Sequence, residues 1–288
     1  MTWSLAIRRI IILSTLIMPV FAFAQWELPA DYTSRKDIVY KTVGDWQGRM
    51  DVYAPKKGKK HPLVINIHGG GWVHGRKEDE KGFAMFFPKN FVVANIEYRL
   101  ADKAPAPAAI EDVRCALIYL LNNAKQFQID PTKIIVMGGS AGGHLALITG
   151  LLQNNQLFDS SCLPHKEINI TAIIDKYGPS DLNHYDVMRK PNKASSAWLG
   201  GRGNDTAWVE TLSPVAYVTK KSPPVFIVHG DQDHTVPYEQ SITLFEKLKS
   251  VGVKVEMYTV KGGKHGNFAT QETEIVEKKI LAFVESIL

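Results

Sequence analysis

The sequence has 288 residues, long enough to bury a full hydrophobic core, and its 45% hydrophobic and 22% charged residues are ordinary for a globular protein. The formal net charge of +5 is small and gives no basis for nucleic-acid binding. The basic run at residues 56–60 lacks interleaved aromatic side chains and lies between two strand patterns, so it is interpreted as a solvated hairpin loop.

The first residues have the pattern of a targeting segment. Arg8 and Arg9 precede a short apolar run that closes with the small residues of an A-x-A cleavage site. The run is short for a membrane span. We therefore expect residues 1–24 to be a signal peptide, and the mature chain from Gln25 to be secreted or periplasmic, with no membrane association. A lipoprotein anchor is not indicated because residue 25 is not cysteine, and an uncleaved anchor is the alternative.

Strand and helix patterns alternate along the rest of the chain. After a short lead-in at 25–36, two strands joined by a polar turn predict an antiparallel hairpin at 38–44 and 49–53. Apolar runs predict further strands, and period-3.6 patterns predict helices. The strands are at 62–68, 91–98, 134–137, 170–175, 224–229 and 253–260. The helices are at 81–87, 105–127, from the serine turn to 152, 238–250 and 273–287.

This alternation predicts an α/β fold with a mostly parallel twisted sheet and helices on both faces. Residues 25–288 are expected to form a single domain. The less regular region at 177–222 is expected to be a cap or rim insertion. Ligands of such sheets bind outside the carboxyl ends of the strands, and the motifs described next all fall there.

The turn between the strand at 134–137 and the following helix reads Gly-Gly-Ser-Ala-Gly. A G-x-S-x-G turn between strand and helix is the signature of a nucleophile elbow around Ser140. Side chains at Gly138 and Gly142 would clash with the neighbouring backbone, and the serine itself is expected in a strained conformation. The alternative is a glycine-rich turn that merely lets helix and strand pack closely.

A nucleophilic serine needs a base and a carboxylate that orients the base. His265 follows the last predicted strand in a glycine-rich loop and is the preferred base. Asp233 is preferred as the acid over Asp231, which is well placed to hold its own turn. The competing histidines are His68, His144, His229 and His234.

The run His68-Gly69-Gly70-Gly71 supplies a place for the oxyanion of an acyl-transfer reaction. Backbone N–H groups of Gly70, Gly71 and Ala141 are the expected donors, and each such donor is worth about 10²–10³ in rate. A phosphate-binding loop is the weaker interpretation because no Lys-Ser/Thr pair follows. Trp72 is expected to wall the substrate site, with a core tryptophan as the alternative.

The two cysteines, Cys115 and Cys162, lie on segments that flank the elbow strand. In an exported protein such a pair is expected to form a disulfide, and two free buried thiols are the alternative.

Four motifs together resemble the HGGG-type α/β-hydrolase esterases, nearest to the bacterial acetyl-xylan/feruloyl esterase-like and carboxylesterase-like branch. They are HGGGW, GGSAGGHLA, HGDQDHTVP and KHG, and the similarity runs from about residue 38 to the C-terminus. The resemblance implies a triad of Ser140, Asp233 and His265. Lys264, directly before the histidine, is larger than the residue that relatives often have there, which leaves the shape of the acyl pocket open.

The expected activity is therefore a serine carboxylic-ester hydrolase acting on short-chain or aryl esters, with no metal and no cofactor. The resemblance suggests small-molecule esters or acetyl or feruloyl esters of plant-wall carbohydrate. An arylformamide or peptide hydrolase on the same triad is one alternative, and an inactive binding module is another. The sequence leaves the particular ester and the oligomeric state open.

Overall fold

Eight strands form one mixed sheet in a computed structural model, which describes residues 27–58, 60–165, 167–186 and 194–288. The strands are β1 (Tyr32–Val43), β2 (Trp46–Pro55), β3 (His61–Ile67), β4 (Val92–Ile96), β5 (Ile129–Gly139), β6 (Ala172–Lys176), β7 (Val225–Gly230) and β8 (Val255–Val260). Their order across the sheet is β1-β2-β4-β3-β5-β6-β7-β8. β2 runs antiparallel to β1 and β4, and the pairings from β4 to β8 are parallel.

Helices cover both faces of this sheet, as the alternating sequence pattern predicts. They are α1 (Ala108–Asn122), α2 (Ala141–Leu152), α3 (Ala194–Trp198), α4 (Thr206–Thr211), α5 (Glu239–Ser250) and α6 (Thr270–Glu285), with 3₁₀ helices at Lys77–Asp79, Gly82–Lys89 and Pro214–Tyr217. Buried side chains of α1, α2 and α5 form one hydrophobic cluster. Those of α6 and the 3₁₀ helix at 82–89 form a second cluster, and the sheet contributes to both.

Several elements depart from the sequence-based boundaries, and β1 and α1 are two of them. β1 begins at Tyr32, so the prediction of a lead-in through residue 36 is wrong. Its polar residues do not alternate between buried and exposed, so the sequence gives no strand pattern there. Hydrogen bonding to β2 stabilises the strand. α1 ends at Asn122 instead of near 127. At this end the side-chain amide and the backbone N–H of Asn123 both donate to the Tyr119 carbonyl, at 2.8 and 3.1 Å.

The two cysteines are joined in a disulfide that connects α1 to the loop after α2. The bridge therefore ties the middle of α1 to the loop that follows α2. The predicted signal peptide, residues 1–24, lies outside the described residues. Within the described part of the chain, no helix has the length and apolar character needed to span a bilayer.

The region at 177–222 is described except for residues 187–193. Its buried side chains belong to the same cluster as those of α1 and α2 rather than to a core of their own. The largest of them, Trp198, is fully buried, and Leu199, Val209 and Leu212 accompany it. The segment is thus fastened to the sheet by apolar packing.

Asp175 on β6 is a completely buried carboxyl group beneath the first turn of α2. Its Oδ1 accepts a hydrogen bond of 2.9 Å from the Gly178 N–H, and a Cβ added to Gly143 would lie 2.5 Å from the same oxygen. Its Oδ2 has no hydrogen-bond partner among the described residues. Burial raises the pKa of Asp175 to about 8, against the opposing effect of the Gly178 hydrogen bond, so the carboxyl is mainly protonated at neutral pH.

This carboxyl group should make the stability of the protein depend on pH. Between its ordinary pKa of 3.8 and about 8, the unfolded chain loses the proton that the folded chain keeps, so the free energy of unfolding falls as the pH rises. Asp175→Asn keeps the shape and the acceptor for Gly178 but does not titrate. Its stability relative to the parent, measured by urea unfolding from pH 4 to pH 9, should increase with pH and level off above pH 8. A difference independent of pH would contradict the assignment.

Candidate active site

The turn between β5 and α2 holds Ser140 in a left-handed backbone conformation, with φ 57° and ψ −122°. Two glycines make the turn possible. A Cβ on Gly138 would lie 2.2 Å from the Gly142 carbonyl oxygen, and a Cβ on Gly142 would lie 2.2 Å from that of Ile67. The Ser140 N–H donates to the Lys176 carbonyl at 2.9 Å, which fixes the turn against β6. The steric need for both glycines and the strained serine, expected from the sequence, are present.

His265 lies between Ser140 and Asp233. Its Nε2 is 2.8 Å from the Ser140 Oγ, and its Nδ1 is 2.6 Å from the Asp233 Oδ2. Because an ionised carboxylate only accepts hydrogen bonds, Nδ1 carries the proton and Nε2 accepts from the serine hydroxyl. The structure thus brings the three residues predicted for a catalytic triad into one hydrogen-bonded chain.

The carboxylate of Asp233 is buried and has several hydrogen-bond donors. Its Oδ1 accepts from the backbone N–H groups of Thr235 at 2.7 Å and Val236 at 3.0 Å. Burial by itself would raise the pKa of Asp233. Hydrogen bonds from His229 and His265, the charge of His265 and the Val236 N–H outweigh burial and hold the pKa well below its usual range. The group is therefore ionised throughout the neutral range.

The loops that carry the acid and the base are fastened to each other. The Gln232 N–H donates to the Gly263 carbonyl at 2.9 Å, and the Asp231 Oδ1 accepts from the Gly262 N–H at 2.6 Å. A Cβ on Gly230 would lie 2.2 Å from the Gly263 oxygen, so the two loops are in close backbone contact. Asp231 was expected to hold its own turn, and in the structure it holds the turn after β8 instead.

The glycine run after β3 lines the same cavity as Ser140 and Ala141. Gly70 and Gly71 adopt positive φ values of 111° and 58°, and no acceptor for their N–H groups is found among the described residues. Ala141 is the first residue of α2, where N–H groups have no partner within the helix. These three donors therefore border the serine with free hydrogen-bonding capacity.

Trp72 lines the cavity, but its ring belongs to the core. The residue is only 2% exposed, and its indole stacks on that of Trp198 with 4.4 Å between ring centroids. The side chain is therefore packed in the core, the alternative that the sequence left open, although the residue borders the cavity as expected. The close approach of Trp198 from the 177–222 region, which the sequence does not reveal, is the reason.

The competing histidines have other surroundings. His144 is completely buried, packs edge-on against both Trp72 and Trp198 and contacts the Leu212 carbonyl through Nε2 at 2.8 Å; burial lowers its pKa to about 4. His68 is buried against Tyr98, and burial lowers its pKa as well. His234 is exposed at the edge of the cavity. Lys264 is also exposed and is not among the residues that line the cavity.

His229 contacts the acid from behind. Its Nε2 is 3.2 Å from the Asp233 Oδ2 and 3.0 Å from the Val236 carbonyl, and its Nδ1 is 2.7 Å from the Ser241 Oγ. Since the carbonyl only accepts, Nε2 carries the hydrogen and the Ser241 hydroxyl donates to Nδ1. Sequence reasoning treated His229 only as a rival base. In the sequence, His229 directly precedes the G-D-x-D loop that carries Asp233, and this position could have indicated that it supports the acid.

A cavity of about 770 Å³ opens above the serine. Sequence reasoning missed several polar residues that line it: His74, Glu80, Tyr177, Tyr185 and Asn267. Tyr177 packs edge-on against His265 with 4.9 Å between ring centroids. In the described part of the chain no group of three His, Cys, Asp or Glu side chains is arranged to hold a metal ion. The arrangement suits attack by an activated serine on a carbonyl group beside free N–H donors.

Comparison with known proteins gives consistent matches. The profile of the BD-FAE family matches residues 50–248. Esterase LipC of Mycobacterium tuberculosis is 28% identical over 249 residues, which cover 82% of this chain and 60% of LipC. The chain spans 56–65% of the length of the first curated relatives that it matches.

Solved structures of esterases share the fold. A truncated carbohydrate esterase from gut microbiota superposes with a TM-score of 0.76 and 27% identity, over 88% of this chain and 96% of that one. An acetyl ester-xyloside bifunctional hydrolase from Caldicellulosiruptor lactoaceticus gives a TM-score of 0.71 and 25% identity, over 83% of this chain and 90% of that one. Together with the sheet order and the serine turn described above, these matches identify the fold and the family of the chain. The chain belongs to the BD-FAE family and has the α/β-hydrolase fold of the esterases that it resembles.

Proposed function

We propose that this protein is a serine carboxylic-ester hydrolase that acts through an acyl-enzyme on Ser140. The observation that carries the proposal is the chain of two hydrogen bonds that joins Asp233, His265 and Ser140 beneath a cavity with free N–H donors. The esterase names of the relatives and of the solved structures support the same reaction class.

In the first half-reaction, the Nε2 of His265 removes the proton of Ser140 as the serine oxygen attacks the ester carbonyl. The oxyanion that forms accepts hydrogen bonds from the N–H groups of Gly70, Gly71 and Ala141. Asp233 stays ionised and stabilises the imidazolium of His265. The histidine then gives its proton to the leaving alkoxide, and the acyl group remains on the serine.

In the second half-reaction, His265 takes a proton from a water molecule that attacks the acyl-enzyme. The second tetrahedral oxyanion uses the same N–H donors. Collapse of this intermediate releases the carboxylic acid, and the proton held by the histidine returns to Ser140. The groups that would touch the substrate in this scheme line one cavity, and Asp233 lies behind His265.

Export of the mature protein is part of the proposal. The pattern of residues 1–24 favours a signal peptide, and the disulfide between Cys115 and Cys162 is of a kind that persists in oxidising compartments. The region at 177–222 is proposed as the rim of the substrate site, because its residues Tyr177, Pro179 and Tyr185 line the cavity.

For the substrate, we propose short-chain or aryl esters, including acetyl or feruloyl esters of plant-wall carbohydrate. Two of the similar structures are named as a carbohydrate esterase and an acetyl ester-xyloside hydrolase. The cavity is bordered by several hydroxyl, imidazole, amide and carboxylate side chains, a surface better suited to a polar alcohol than to a long acyl chain.

The variant Ser140→Ala tests the reaction itself. It should fold like the parent, judged by circular dichroism and thermal unfolding, and should hydrolyse p-nitrophenyl acetate no faster than buffer, because the acyl-enzyme cannot form. A fluorophosphonate probe should label the parent at Ser140 and should not label the variant. Parent-like turnover by the folded variant would refute the proposed nucleophile.

The two acids of the loop after β7 provide a matched pair of variants. Asp233→Asn should lower kcat by about 10³–10⁴, because an amide stabilises the wrong tautomer of His265. Asp231→Asn keeps an oxygen to accept from the Gly262 N–H and should retain activity close to that of the parent. Steady-state kinetics on one acetyl ester would compare them. Comparable losses in both variants would contradict the assignment of Asp233 as the orienting acid.

A substrate panel tests the proposed range of esters. p-Nitrophenyl esters of increasing acyl length, acetylated xylan and methyl ferulate should show highest kcat/KM for acetyl or other short or aryl acyl groups, with a marked decline toward long aliphatic chains. A preference for long acyl chains would contradict the proposed substrate class while leaving the triad untouched.

A further inference from the structure

Tyr177 is held next to the reacting residues by an unfavourable backbone conformation. It directly follows β6 and has φ 47°, in the left-handed region that bulky aromatic residues rarely adopt. Its N–H donates to the Val228 carbonyl at 2.7 Å, which extends the contact with β7. Such strain concentrates at functional sites, where the surrounding structure maintains it.

The hydroxyl of Tyr177 lies between the chain segments of the nucleophile and the base. A Cβ added to Gly266 would be 2.4 Å from the tyrosine oxygen, and one added to Gly139 would be 3.1 Å from it. Gly139 directly precedes Ser140, and Gly266 directly follows His265. The position therefore excludes a side chain at Gly266 and leaves little room for one at Gly139.

This hydroxyl makes no hydrogen bond within the described residues. The contrast with Tyr185 is direct, because both tyrosines line the cavity but the Tyr185 hydroxyl donates to the Thr235 carbonyl at 2.6 Å. Tyr177 is only partly buried and lines the cavity. A group that enters the cavity can supply the missing partner.

Glu80 contributes a second polar group with unused hydrogen-bonding capacity. It is half-buried, lines the same cavity, and its carboxylate makes no hydrogen bond or ion pair with any described residue. Burial first, and then the charge of Glu80, raise the pKa of Tyr177, so the phenol keeps its proton and acts as a donor. The cavity is thus lined by both a hydroxyl donor and a carboxylate acceptor.

The side of the reaction that Tyr177 faces follows from the position of His265. That histidine protonates the leaving alkoxide, and the Tyr177 ring packs edge-on against it. Groups beside the histidine therefore lie near the alcohol part of the ester. Alcohols that bear further hydroxyl groups can both accept from a phenol and donate to a carboxylate.

We infer that Tyr177 and Glu80 form a subsite for free hydroxyl groups on the alcohol moiety of the ester, so that the enzyme prefers monoesters of polyhydroxylated ring alcohols such as sugars. The inference rests on the proposed function. It goes beyond that function by assigning the preference to two particular side chains.

Two substrates that differ only in these hydroxyl groups provide the test. A monoacetylated methyl xylopyranoside keeps free hydroxyls on a six-membered ring, whereas cyclohexyl acetate has the same acetyl group and ring size without them. The measured quantity is the ratio of kcat/KM for the sugar ester to kcat/KM for cyclohexyl acetate. The parent should favour the sugar ester.

Tyr177→Phe should lower this ratio about three- to tenfold, the effect of one lost hydrogen bond to substrate. Glu80→Gln should lower it as well, because a charged acceptor becomes a neutral one. Tyr185→Phe is the matched control, since its hydroxyl is already engaged by Thr235, and its ratio should equal that of the parent.

Several outcomes would overturn the inference. A parent without preference for the sugar ester, or a Tyr177→Phe variant with an unchanged ratio, would do so. Equal losses on both substrates would show that Tyr177 acts through His265 and not on the alcohol. If Tyr177→Phe does not fold, an unchanged ratio in Glu80→Gln would decide against the subsite.

The Ser140→Ala variant separates the two proposals. Activity in that variant refutes the proposed function. Its inactivity, combined with unchanged ratios in Tyr177→Phe and Glu80→Gln, refutes the subsite alone.

Discussion

The left-handed backbone at Ser140 is the constraint on which the rest of the site depends. Strand β5 must stop and helix α2 must start within one residue, so the carbonyl oxygens of Ile67 and Gly142 come to 2.2 Å from where side chains at Gly142 and Gly138 would begin. That contact raises the serine hydroxyl above the sheet and points the first turn of α2 toward it. Substituting either glycine would move the serine relative to every other group in the cavity.

The second requirement is that the two loops after β7 and β8 keep a fixed position relative to each other. Each loop alone is a glycine-containing turn with little internal structure. Hydrogen bonds from the Gln232 N–H to the Gly263 carbonyl and from the Gly262 N–H to the Asp231 carboxylate join the two loops, which fixes the acid relative to the base. His229 and Ser241 support the acid from the side of α5, which fixes the carboxylate from behind.

Two buried carboxyl groups show how the surroundings decide the charge. Asp233 accepts from two backbone N–H groups and contacts two histidines, and these donors more than offset the cost of burial. Asp175 accepts one N–H, and burial prevails, so its pKa rises to about 8. The same residue type is thus an anion at one strand end and mainly a neutral acid at the neighbouring one, because the number of donors differs.

The sequence by itself determined the local features of this protein. The glycines of the elbow, the alternation of strands with helices and the HGGG run follow from steric demands and periodicities that operate within a few residues. The choice of His265 was also available, because it follows the last predicted strand in a glycine-rich loop. The preference for Asp233 rested on the expectation that Asp231 holds its own turn, whereas Asp231 accepts from Gly262 in the next loop. Only the tertiary structure decided where the remaining side chains point. The stacking of Trp198 on Trp72, the support of Asp233 by His229 and the placing of Tyr177 and Glu80 in the cavity join segments far apart in the chain. No local pattern encodes those contacts, since they depend on packing of the whole sheet and its helices.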